Sequence, residues 1–231
     1  MTRSQAVIVG AGDGLSAALA REFARDHALT LAARTGAKMQ DVAAETGAAT
    51  AMLDATDEAA VAAMFDGLPA APRVVVYNPS ARVRGPVSEL ALDEVRRAVE
   101  VTAIGAFVLG KHAARRMLAA APVDGVRGTI LFTGASAGVK GFPRSAPFAM
   151  GKFASRGLAE SMARELHPEG IHVAWINIDG AIRTPGRSEP AAAPDSMLDP
   201  AAIARSYRHL VEQDRSAWTN EIALRPWVER F

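Results

Sequence analysis

Short runs that are apolar at every position alternate along this chain with longer segments whose apolar residues recur every three to four positions. QAVIVGA (5–11), ALTLAAR (28–34), TAMLDA (50–55), RVVVYNP (73–79), GTILFTGAS (128–136), IHVAWINID (171–179) and WTNEIAL (218–224) read as strands. LSAALAREFARDH (15–27), AKMQDVAAETG (37–47), DEAAVAAMFDGL (57–68), one long segment over 92–120, 147–166 and 201–213 read as helices. Strands without a polar face must be covered on both sides, which predicts a mostly parallel seven-stranded sheet flanked by helices on both faces. Right-handed crossovers make it a single doubly wound, Rossmann-type α/β domain over 1–231. The Pro- and Ala-rich stretch PGRSEPAAAPDSMLDP (185–200) is too short for a linker. It is expected, with the helix after it to about 215, to form a flap on the substrate side.

Composition narrows the function classes. With 231 residues and 49% hydrophobic content the chain supports one full core. A net charge of +1 supplies no field for nucleic acid or an anionic membrane. No cysteine is present, which removes thiolate chemistry, disulfides and cysteine-bound metal. His27, His112, His167, His172 and His209 have no metal-ligand spacing. The opening MTRSQAVIVGAG runs straight into a strand, and no uncharged apolar run is long enough to span a bilayer. A cytoplasmic protein acting on a small molecule is expected.

The first strand ends in VIVGAGDGLSAALA, which puts Gly10, Gly12 and Gly14 in a strand-to-helix turn. Such a turn brings backbone N–H groups and a helix start against a pyrophosphate. The strict G-x-G-x-x-G spacing fails because Leu15 stands where the third glycine would fall; Gly10-x-x-x-Gly14-x-Ser16 fits a looser form. The second strand ends in Arg34, with no acid to hold both ribose hydroxyls. An arginine there suits a 2′-phosphate, so NADP is expected over NAD, although Asp13 in the turn would repel that phosphate.

With those pieces in place the chain resembles the short-chain dehydrogenase/reductase family over nearly its whole length. Gly10-x-x-x-Gly14 resembles the family's cofactor turn, with Gly12, Asp13 and Leu15 in the same loop. Asp54, followed by Ala55, resembles the acid that meets adenine. Asn78-Pro79-Ser80 stands where the family carries Asn-Ala-Gly, and NIDGAIRT resembles its nicotinamide-facing segment, with Ile182 and Thr184 as the contact positions. The resemblance implies nicotinamide-cofactor binding, hydride transfer, and homodimers or homotetramers built through the two long helices.

The catalytic positions depart from that pattern. The family's Asn, Ser, Tyr and Lys fall here on Thr102, Ala135, Phe148 and Lys152. Ser136 is one place from the serine position and reaches the site only if the chain has left strand geometry there. A phenyl ring gives no proton, and losing a general acid costs roughly 10²–10⁴-fold in rate. Lys152, Ser136 and Thr102 are therefore the candidate catalytic groups, with Lys152 also expected at the cofactor ribose. Acceptors that need little acid help, an iminium ion or an electron-poor double bond, would suit such a site. Two other readings are a nucleotide-binding protein without chemistry and a lyase or isomerase using the same pocket. Asp179 would serve as an acid or base if desolvated but is read as a solvated loop aspartate, and Tyr77 is assigned no catalytic role.

Overall fold

In the computed structural model, which describes residues 3–229, nine strands and seven helices form two sheets. β1 (Ser4–Val9), β2 (His27–Ala33), β3 (Ala49–Met52), β4 (Pro72–Tyr77), β5 (Gly128–Thr133), β6 (Ile171–Ile178) and β9 (Glu221–Leu224) make a parallel sheet in the order β3-β2-β1-β4-β5-β6-β9. The short strands β7 (Ala181–Ile182) and β8 (Met197–Leu198) pair with each other, also in parallel. The helices are α1 (Leu15–Phe23), α2 (Gln40–Thr46), α3 (Glu58–Asp66), α4 (Leu92–Val99), α5 (Gly105–Leu118), α6 (Ala146–Leu166) and α7 (Pro200–Glu212).

The twofold alternation of strand side chains divides the core into two layers. Ala6 and Ile8 of β1, Leu29 and Leu31 of β2, and Val74 and Val76 of β4 meet α1 and α7 on one face. Their neighbours Val7, Val9, Val75 and Tyr77 join Ile130, Phe132 and Trp175 on the other face, under α3, α5 and α6. The central strands β1, β4 and β6 are thus buried nearly throughout because both sides are covered, whereas the edge strands β3 and β9 are half-buried or exposed. Strand order reverses between β1 and β4, which opens a crevice at the carboxyl ends of the strands, the usual ligand position in such sheets.

Two segments differ from the sequence expectation. The single helix expected over 92–120 is broken by a π-helical turn at Glu100–Ile104. The residues expected as one flap separate into two parts. The stretch 185–196 is largely exposed, whereas α7 buries Ile203, Ala204, Tyr207 and Leu210 against the same core layer as α1. α7 thus packs into the core, and of the loop residues 185–196 only Arg187 lines the cavity described below. Among the described residues no helix is long and apolar enough to cross a membrane.

Candidate active site

The turn after β1 is built by close approach. Gly10 adopts φ +86°, and a Cβ there would lie 2.7 Å from the Pro79 nitrogen, so the position requires glycine. Ser16 Oγ donates to the Gly10 carbonyl at 2.8 Å, and Asn78 Nδ2 donates to Ser16 Oγ at 2.6 Å. The ends of β1 and β4 are thereby joined. Helix α1 begins at Gly14 without a side-chain cap, and open space faces Gly12. Its first amides thus remain open to an anion. This cradle fits the diphosphate of a dinucleotide. Arg34 is exposed directly after β2, beside no strand-end acid, and Asp13 is exposed in the turn.

Asp54 is already engaged. One oxygen accepts from the Thr56 amide and hydroxyl, at 3.0 and 2.8 Å, and the other faces Arg97. Burial pushes its carboxyl up, but the Thr56 bonds and the Arg97 charge overcome this and hold it at about 2. Ala55 follows it, buried.

The crevice deepens into a cavity of about 820 Å³. Of the residues expected at the site, Leu15, Asn78, Ser80, Ser136, Lys152, Ile182 and Thr184 line it, together with Ala135 and Phe148. Gly10, Gly12, Asp13, Gly14, Arg34, Asp54, Ala55 and Pro79 lie outside that lining. β5 ends at Thr133, and a 3₁₀ turn starts at Ser136. The chain has left strand geometry there, so Ala135 and Ser136 both face the cavity.

Thr102 departs from the other expected catalytic groups in that it does not line the cavity. The π-helical turn carries it against α6, where a Cβ on Gly151 would lie 2.7 Å from its own Cβ, and its hydroxyl accepts from the Ala81 amide at 3.2 Å. It is buried, does not line the cavity, and instead fixes the loop after β4. Asp179 is corrected: it is buried at the end of β6, 3.4 Å from the Arg225 guanidinium, rather than solvated.

Lys152 is only 3% exposed, and its Nζ donates to the Thr133 carbonyl at 2.6 Å. Burial, and then the charge of Arg82, lower its pKa to about 7. Its ammonium lies 5.9 Å from the centre of the Phe148 ring, one helical turn back on the same face. The Arg82 guanidinium covers that ring at 4.1 Å. Phe148 is thus an apolar wall flanked by two cations.

The missing acid has not moved to another tyrosine. The chain has two. The Tyr77 hydroxyl donates to the Val101 carbonyl, and burial and the Asp54 charge raise its pKa. The Tyr207 hydroxyl lies 2.8 Å from Thr133 Oγ1, and burial raises its pKa as well. Neither lines the cavity.

Among the lining residues that sequence reasoning missed are four arginines, Arg82, Arg84, Arg144 and Arg187. A signal existed, since each lies within four residues of a segment assigned to the site: SARVRG after Asn78-Pro79-Ser80, FPRSAP before Phe148, and PGR after Thr184.

The family model described as short chain dehydrogenase matches residues 4–193. The chain belongs to the short-chain dehydrogenase family. Members of this family use NAD or NADP, in keeping with the cradle between β1 and α1. Human 17-beta-hydroxysteroid dehydrogenase type 1 is 28% identical over 90% of this chain, which spans 66% of that enzyme's length. Cis-4-hydroxycyclohexanecarboxylate dehydrogenase of Sinomonas cyclohexanicum is 32% identical over 73% of this chain and 69% of that one. A short-chain dehydrogenase of Rhodopseudomonas palustris superposes with a TM-score of 0.80 and 34% identity, over 97% of this chain and 99% of that one.

Proposed function

We propose that this short-chain dehydrogenase is a cytoplasmic, NADP-dependent oxidoreductase that moves hydride to a small acceptor without a tyrosine acid. The observation that carries this reading is the Phe148 wall between Arg82 and Lys152. A phenyl ring donates no proton, but two cations beside it stabilise negative charge as it develops on an acceptor oxygen. Ser136 supplies the hydroxyl that Ala135 lacks. Lys152, titrating at about 7, shares its proton between the carbonyl of β5 and whatever polar group enters beside it. In the family-like arrangement that group is the nicotinamide ribose. Arg34 is the feature that favours NADP over NAD.

The acceptor best suited to this site is an electron-poor double bond. The bound cofactor supplies hydride. Addition at the β-carbon breaks the carbon–carbon π bond and leaves an enolate, whose oxygen Arg82 and Lys152 stabilise while water protonates the α-carbon. A cationic iminium ion suits it poorly, because the lining contains four arginines and Lys152 but no carboxylate. A nucleotide-binding protein without chemistry is the second reading, favoured by the absence of a lining tyrosine.

A homo-oligomer belongs to the proposal. Ile104 in the π-helical turn, Phe107 on α5, and Met150 and Phe153 on α6 are 45–53% exposed. Such apolar groups on neighbouring helices suit a second copy of the chain.

The test is NADPH oxidation with a panel of conjugated enones, simple ketones, aldehydes and cyclic imines. The proposal expects enones to outpace simple ketones by about 10²-fold or more, the scale of a lost general acid. Rapid reduction of simple ketones, unchanged by Phe148→Tyr, would overturn it.

A further inference from the structure

We infer that the substrate side of the cavity is an anion site, and that the molecule acted on there carries a carboxylate or phosphate group. This rests on reading the cavity as the reacting end of a short-chain dehydrogenase.

Arg82, Arg84, Arg144 and Arg187 come from three separate loops and line one cavity that contains no Asp or Glu. The chain as a whole is nearly balanced, with 26 basic and 25 acidic residues, so the segregation is local. Elsewhere several arginines find carboxylates, among them Arg21 with Glu45, Arg97 with Asp54, Arg156 with Glu221, and Arg208 with Glu22 and Asp26, while others such as Arg73 and Arg127 bond backbone carbonyls. Among the described residues, no side-chain hydrogen bond or ion pair joins any of the four cavity arginines to a carboxylate. The charges of Arg84 and Arg187 bear on Arg82 instead. Burial first, and then the charges of Arg84 and Arg187, lower the pKa of Arg82. Such mutual repulsion is relieved by a bound anion, and a guanidinium presents paired N–H donors that match a carboxylate or phosphate.

The three loops are also fixed in place, which suits a preformed site. Thr102 holds the Arg82 loop through the Ala81 amide. The Gly85 amide donates to the Arg144 carbonyl at 3.2 Å, which ties that loop to the one before α6. Arg144 itself stands at φ +59°, a left-handed conformation that non-glycine residues adopt at a cost and that concentrates at ligand sites. Thr184 and Arg187 exchange backbone hydrogen bonds of 3.2 and 2.8 Å around Pro185–Gly186, a turn that sets Arg187 at the cavity mouth. The cofactor's own phosphates have other partners in the proposed arrangement, namely the open amides of α1 and Arg34, which lies outside the cavity lining.

The test is calorimetric titration of the cofactor-free and the NADP⁺-saturated protein with two matched pairs: dihydroxyacetone phosphate against dihydroxyacetone, and levulinate against methyl levulinate. At low ionic strength at least one anion is expected to bind about tenfold or more tightly than its neutral partner, a gap that closes as salt rises. The pair that shows the gap identifies the class, phosphate or carboxylate. Arg82→Gln should reduce the gap severalfold. Arg144→Gly should reduce it too while leaving the melting temperature unchanged or higher, because glycine relieves the left-handed strain; this separates lost binding from lost folding. Equal binding of charged and neutral members in both pairs, or a gap that survives both substitutions, would overturn the inference. NADP⁺ titration of the same samples reads the functional proposal independently. Anion binding without NADP⁺ binding would sink that proposal and uphold the anion site, whereas NADP⁺ binding without an anion gap would do the reverse.

Discussion

Replacing Lys152 with methionine should stabilise the cofactor-free protein near neutral pH. The ammonium is almost wholly buried, its hydrogen-bond acceptor is one backbone carbonyl, and the charge that acts on it is that of another cation, Arg82. An ordinary lysine titrates near 10.5, and this one is lowered to about 7. That shift corresponds to a destabilisation of roughly 5 kcal/mol when the group is charged. The sign follows from proton linkage. Between about 7 and 10.5 the unfolded chain binds more protons at this site than the folded one, so stability rises with pH across that window. The penalty is fully present below 7 and gone above 10.5. Lys152→Met removes it but leaves the Thr133 carbonyl without its donor, which costs back about 1–3 kcal/mol. The expected net gain is ~2 kcal/mol in urea denaturation at the acid end of the window. That gain should shrink steadily as pH is raised to its alkaline end. Groups that titrate alike in both proteins cancel in this difference. A variant that is less stable at every pH, with no narrowing, would mean that Lys152 is not desolvated in the folded protein. NADPH affinity should fall in the same variant, so stability and binding move in opposite directions.

Three further outcomes follow from the site. Phe148→Tyr alone should raise ketone reduction little, whereas Phe148→Tyr with Ala135→Ser should exceed the sum of the two, since acid and oxyanion donor act on one oxygen; additive rates in the double-mutant cycle would argue otherwise. Arg34→Ala should narrow the NADPH over NADH affinity ratio by roughly tenfold, the scale of a hydrogen bond to a charged group, and an unchanged ratio would mean that the 2′-phosphate is read elsewhere. Light scattering should return a dimer or tetramer, and Phe107→Glu with Phe153→Glu should shift it towards 24.2 kDa; a native mass of that size at micromolar concentration would refute the oligomer.

Much of the scaffold is legible from local pattern. The strands stand out because a parallel strand covered on both faces has no polar side to interrupt it. Helix starts are marked chemically as well. Asp57 caps α3 through the Ala60 amide, and Asp199 precedes Pro200 and caps α7 through the Ala201 amide. The π-helical turn is not legible, because EVTAIGAF continues the helical apolar pattern while one hydrogen-bond register changes. Phe148, Ala135 and Lys152 are legible through the resemblance to the family's catalytic motif, which assigns each a position. The arginine cluster is harder to read because it exists only after three distant loops converge. Taken singly, Arg82, Arg144 and Arg187 look like ordinary solvated loop charges. Their shared meaning comes from the absence of any carboxylate among the residues that meet them.

The central claim is hydride transfer at a site whose tyrosine position is phenylalanine. It is tested most directly with NADPH carrying deuterium at the transferable C4 position, mixed with the protein and a conjugated enone or a simple ketone, followed by mass spectrometry of the products. The account predicts one deuterium at the enone β-carbon, at a rate about 10²-fold or more above ketone reduction. Tight NADPH binding with no deuterium in any product would contradict it and leave a nucleotide-binding protein. Equal labelling rates for enone and ketone would place an effective acid where Phe148, Tyr77 and Tyr207 supply none.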